Sequence, residues 1–226
     1  MVACCPPGAL PSLAIEEYTP KGADVALPNT NSLNAYIIGE EGKPAVHSHR
    51  TQPQRALAHT RARARAHSDA HACALARQVV VNYDVSGFGK PPPELGGGRV
   101  REVCDLLAAT GLYVVMPDYF KGKNVVKAGK AGSTEEIVEW ITTEAPHPLT
   151  AEAMVRAAVY FCKNRGAPKV GSIGFCWGAW LCARTSGKND DFGFGCQVLL
   201  HASINAEGCF GGSEEALCKA VKVPDP

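Results

Sequence analysis

Between Val170 and Trp180 a short β-prone run enters Gly174-Phe175-Cys176-Trp177-Gly178, and a helix-compatible run from Ala179 to Thr185 leaves it. Strand, tight turn and helix in that order form a nucleophile elbow, here with cysteine at the corner where serine is more usual. Gly174 and Gly178 remove Cβ atoms where strand and helix crowd the turn, so Cys176 takes the strained corner. A helix starting just beyond it turns backbone N–H groups and a positive dipole end toward the sulfur, which favours thiolate. The N–H of Trp177 is then placed to donate to an oxyanion. The competing reading is a buried structural cysteine between two incidental glycines.

An elbow needs a sheet behind it, and the rest of the chain supplies one. Val79–Tyr83 is a near-continuous apolar run, as a strand covered on both faces would be. An amphipathic helix is expected over 96–110, with Val100, Val103, Cys104 and Leu107 at helical spacing and Gly111 as its stop. Strands are expected at Leu33–Ile38, Tyr113–Met116, Lys169–Ile173 and Gln197–Leu200. Ser133-x-x-Glu136 is a capping box opening a helix, another helix starts at Thr150, and a short one covers Glu214–Ala220. Lys121–Lys130 is a polar, glycine-containing loop too mobile in composition to place. Strands separated by helices predict an α/β fold: a mostly parallel sheet with helices on both faces. Sites in such sheets lie beyond the carboxyl ends of the strands. Three strand ends carry suggestive groups: Asp84–Gly87, Pro117–Phe120 and the Cys176 elbow.

Composition narrows the alternatives. With 226 residues, 46% apolar and 20% charged, the chain can bury one sizeable core. A net charge of +1 offers no global field for nucleic acid or membrane, and no apolar run is long enough to span a bilayer. With no signal-peptide pattern at Met1–Leu13, the chain reads as cytoplasmic. The ten cysteines include no Cys-x-x-Cys, so neither a zinc ribbon nor a redox pair is signalled. Cys104, Cys162, Cys182 and Cys196 lie in apolar runs and read as reduced core residues. Asp84-Val85-Ser86-Gly87-Phe88-Gly89-Lys90 is glycine-rich but lacks both the leading glycine and the Ser/Thr of a P-loop.

One stretch does not fit the pattern. Residues 47–78 hold five of the seven histidines, six arginines and a single acid, Asp69, for a formal charge of +5. Deleting them joins Lys43–Val46 to Val79–Tyr83 as one β-branched strand. The segment therefore reads as a low-complexity insertion within a single domain of residues 1–226, disordered or even translated from non-coding sequence. An RNA-binding basic patch is the sharper alternative, and a metal pair at His67 and His71 another.

Five stretches together resemble the dienelactone hydrolase family, the cysteine branch of the α/β-hydrolases. They are Cys4–Gly8, Val79–Gly87, Cys104–Phe120, Gly171–Gly178 and Val221–Pro224. The resemblance implies hydrolysis of small esters or lactones by a Cys–His–Asp triad, without metal or organic cofactor. It implies Cys176 as nucleophile, the N–H groups of Trp177 and Val85 as oxyanion hole, and Asp84 as the acid that holds the resting thiol. Tyr119, Phe120 and His201 match substrate-pocket positions. It also implies that the triad Asp and His follow the Val221–Pro224 stretch. These 226 residues are then expected to hold the nucleophile without its base, to lack a C-terminal strand and helix, and to be impaired as a catalyst. A non-catalytic binding protein that keeps the pocket remains the alternative. Substrate identity and oligomeric state stay open.

Overall fold

The computed structural model describes residues 18–28, 30, 32–39, 78–89 and 99–222. The arm Met1–Pro11 and the segment 47–77 lie outside the described residues. Six strands form one sheet: β1 (Ala23–Ala26), β2 (Asn34–Ile38), β3 (Gln78–Asn82), β4 (Tyr113–Pro117), β5 (Val170–Phe175) and β6 (Phe194–Leu200). Their order is β1-β2-β4-β3-β5-β6. β1 and β2 pair antiparallel, as do β2 and β4, whereas β4, β3, β5 and β6 run parallel. The sheet is mixed and mostly parallel, and the fold is α/β.

Every residue of β3 and β4 is buried, so both faces of the central strands are covered. That is why they read as unbroken Val-rich runs. Gln78, expected as the end of the insertion, is instead the first residue of β3. It pairs with Tyr113 and Val170 at the amino ends of β4 and β5.

Seven helices are described: α1 (Val100–Ala109), α2 (Thr134–Glu144), α3 (Pro148–Asn164), α4 (Trp177–Ser186), α5 (Asn189–Phe192), α6 (Ala206–Cys209) and α7 (Glu214–Ala220). Ser133 caps α2 by accepting from the Glu136 N–H at 3.2 Å. The Glu136 carboxylate reaches back to the Gly132 N–H at 3.0 Å, one residue before the position a capping box predicts. α3 starts at Pro148, earlier than expected, because proline is favoured in a first turn and His147 caps it.

α4 is buried at nine of its ten positions, so it has no polar face to offer water. The exception, Arg184, is held between Glu152 and Glu207. Loop 121–130, too polar in composition to place, is pinned down: Val125 and Val126 are buried, and the Val125 N–H donates to the Val85 carbonyl at 3.1 Å.

Candidate active site

The elbow is strained and over-determined. Cys176 sits at φ 53°, ψ −112°, between β5 and α4. A non-glycine residue there costs on the order of 1–3 kcal/mol and persists only where its surroundings hold it. Here the Cys176 N–H donates to Leu200, and its carbonyl accepts from Ala179, Trp180 and Ser203, each at 3.1 Å. The two glycines are sterically required. A Cβ on Gly174 would lie 2.4 Å from the Gly178 carbonyl oxygen, and one on Gly178 would lie 2.1 Å from that of Asn82. Bare backbone thus lets α4 cross the ends of β5 and β3, which brings Asn82 and Tyr83 against the elbow.

A buried polar network braces this crossing. The Asn82 amide donates to Ser172 Oγ at 3.0 Å, to the Ile173 carbonyl at 3.2 Å and to Cys182 Sγ at 3.1 Å. The Tyr119 hydroxyl donates to Asn82 Oδ1. Four elements are joined through one side chain whose polar atoms are all used.

Beyond β3 the chain turns sharply. The Gly87 N–H donates to the Asp84 carbonyl at 3.1 Å, and Asp84 Oδ1 accepts from the Ser86 N–H at 2.8 Å. Gly87 holds φ 88°, and a Cβ there would meet Asn124 Cβ at 2.7 Å. The N–H groups of Val85 and Trp177 donate to no acceptor among the described residues. For Trp177 the reason is its place in the first turn of α4, whose N–H groups have no intrahelical partner. Burial pushes the Asp84 carboxyl above its ordinary value, partly offset by the hydrogen bonds from Ser86 and the charge of His201.

Cys176 is 8% exposed, and its Sγ lies 3.0 Å from the Ser203 hydroxyl oxygen. Ser203 had no signal in the sequence: it stands 27 residues downstream, in the irregular stretch after β6, and nothing local marks it. His201, two residues earlier, is exposed, holds φ 40°, and has its ring centroid 6.5 Å from that of Phe175. It directly follows Leu200, whose carbonyl takes the Cys176 N–H. Tyr119 and Phe120 are buried at 1% and 2% exposure and pack on the Trp177 ring at 5.6 and 4.8 Å. Trp140 stands edge-on to Phe120 at 4.9 Å. Tyr119 and Phe120 thus pack against the first residue of the elbow helix.

A cavity of about 570 Å³ lies between loop 121–130 and α2, with Trp140 in its wall. Another of about 360 Å³ lies against α3. Neither is lined by an elbow residue. Among the described residues no three His, Cys, Asp or Glu side chains are grouped to hold a metal, and no helix is long and apolar enough to cross a membrane.

Residues 65–202 match the dienelactone hydrolase family. A carboxymethylenebutenolidase homolog from Xenopus tropicalis is 31% identical over 102 residues, 45% of this chain and 37% of its own length. The homolog from Homo sapiens is 25% identical over 123 residues, 54% of this chain and 46% of its own. The chain is thus matched to less than half the length of these relatives. A solved dienelactone hydrolase from Anabaena variabilis ATCC 29413 superposes over 83% of this chain and 66% of its own, with a TM-score of 0.43 and 12% identity.

Proposed function

Because the chain belongs to the dienelactone hydrolase family, we propose that it hydrolyses small esters or lactones through a Cys176 thiolate. The observation that carries this reading is the elbow itself: a cysteine held at positive φ at the start of a buried helix. The thiolate attacks the ester carbonyl carbon, and the oxyanion that forms accepts from the Trp177 and Val85 N–H groups. Collapse expels the alkoxide, which takes a proton from water, and leaves a thioester on Cys176; the proton that water gives up in the second step restores the balance. Water then attacks the thioester, releasing the acid and restoring the thiolate.

The described histidines are His147, which caps α3, and His201 at the carboxyl end of β6. Among the described residues, His201 directly follows the carbonyl that takes the Cys176 N–H, so we assign it as the base; its charge lowers the Asp84 pKa. An exposed histidine is a poor substitute for one oriented by a buried carboxylate. Turnover by the 226-residue chain is therefore expected to be slow. A base without such orientation typically costs several orders of magnitude, leaving the contribution of the oxyanion hole and binding.

The test is hydrolysis of a p-nitrophenyl ester by the chain and by Cys176→Ala and His201→Gln. Slow release abolished by Cys176→Ala and reduced by His201→Gln is expected. Hydrolysis that survives Cys176→Ala sinks the mechanism. Complete absence of turnover with Cys176 still reactive toward alkylation favours a non-catalytic binding role.

A further inference from the structure

The resting sulfur needs a hydrogen-bond donor if it is to sit as thiolate in a nearly closed site. Asp84 Oδ1 is taken up by the Ser86 N–H in its own turn. A carboxylate can only accept, so it holds a thiol and opposes a thiolate. A hydroxyl stands against Sγ, that of Ser203, whose oxygen lies 3.0 Å away. Both residues are buried, at 8% and 5% exposure. The contact is fixed from two directions. The Ser203 N–H donates to the Cys176 carbonyl at 3.1 Å, and the Ser203 carbonyl accepts from Ala206 at 2.9 Å at the entrance to α6. The hydroxyl is therefore carried on backbone tied to the elbow itself.

We infer that Ser203 is a positioning residue that donates its hydroxyl proton to the Cys176 thiolate, stabilising the charged form and fixing the direction of the sulfur. A hydroxyl suits this task because it serves both states: it accepts from S–H and donates to S⁻ by rotating about one bond. Its donation adds to that of the first turn of α4, whose dipole end already favours negative charge at this corner. A hydrogen bond to a charged group, held away from water, is stronger than one between neutral partners. The inference rests on the thiolate reading of Cys176, but its test does not require turnover.

That test is the pH dependence of Cys176 alkylation by iodoacetamide, followed by mass spectrometry of the elbow peptide. It compares the wild-type chain with Ser203→Ala and Ser203→Thr. The titratable groups at the flanking strand ends, Asp84 and His201, are untouched by either substitution. Ser203→Ala keeps the backbone bond to Cys176 and removes only the hydroxyl. It is expected to raise the sulfur's titration midpoint by about one pH unit and to slow labelling near neutrality about tenfold. Ser203→Thr, which retains a hydroxyl, restores most of the rate. A midpoint unchanged in Ser203→Ala overturns the inference, as does a wild-type sulfur that titrates like an ordinary thiol. A midpoint that shifts as expected in a chain that hydrolyses no ester upholds Ser203 and removes the hydrolase reading alone.

Discussion

A sulfur reacts according to its surroundings, and the described cysteines occupy very different ones. Burial pushes Cys104 far up, Cys162 to about 12 and Cys182 to about 11, the last despite hydrogen bonds from Ser172 and Asn82. Cys218 is exposed, and Cys176 alone caps the start of a ten-residue helix. Under a mild alkylating reagent near neutral pH, Cys176 should label faster than Cys218, while Cys104 and Cys162 stay unmodified. Equal labelling of Cys104 and Cys162 would mean that the sheet has not formed.

Asp84 gives a second prediction. Burial raises its folded-state pKa, so between the ordinary carboxyl value and the raised one the folded chain keeps a proton that the unfolded chain has lost. Stability is then full below the ordinary value and falls as pH rises through the window. Asp118 is raised in the same direction by the same cause and serves as an unchanged background. Asp84→Asn can keep the turn and should remove its share of that fall. The urea midpoint of the variant should gain on wild type as pH rises above the ordinary carboxyl value. A variant that loses ground across that range would show that the carboxylate is stabilised, not strained.

Among the secondary-structure elements, everything turns on backbone meeting backbone where α4 crosses β3 and β5. Gly178→Ala puts a methyl 2.1 Å from the Asn82 oxygen, and neither side is a movable side chain. It should destabilise the chain by about 3 kcal/mol, seen as a lower thermal midpoint, with selective Cys176 labelling lost. Gly208→Ala, in open space on α6, should be neutral and is the matched control. Those glycines were legible in the sequence because their spacing around cysteine has one steric meaning. Val79–Val81 and Val114–Val115 were legible for a similar reason: runs of β-branched residues with no polar alternation fit a strand covered on both faces. β1 was not, since all four of its residues are exposed and its composition carries no pattern. α5 and α6, at four residues each, are too short to show a helical period. Ser203 escaped because its contact is made by chain folding across the end of the sheet, which no local spacing encodes.

At the scale of the whole molecule, parallel strands sort the chain's features onto two opposite edges. Gln78 pairs with Tyr113 and Val170, so it stands at the amino edge, whereas Asn82 and Tyr83 meet Gly178 at the carboxyl edge. β3 has five residues, about 16 Å of strand, between the point where the Arg/His segment ends and the turn that carries Asp84 and Val85. Gln78, the residue to which that segment is joined, stands on the edge away from the elbow, belongs to the sheet and must be kept. Deleting 47–77 and joining Val46 to Gln78 should leave Cys176 labelling and any Cys176-dependent hydrolysis unchanged. It should raise the thermal midpoint, because a longer connection to a buried strand costs more closure entropy than a direct one. Retention on an immobilised polyanion, weak and released by modest salt in the full chain, should disappear with the segment. A deletion that unfolds the sheet, or that slows Cys176 labelling with the sheet intact, would make the segment part of the working protein, and His59, His67 and His71 would then be the residues to substitute first.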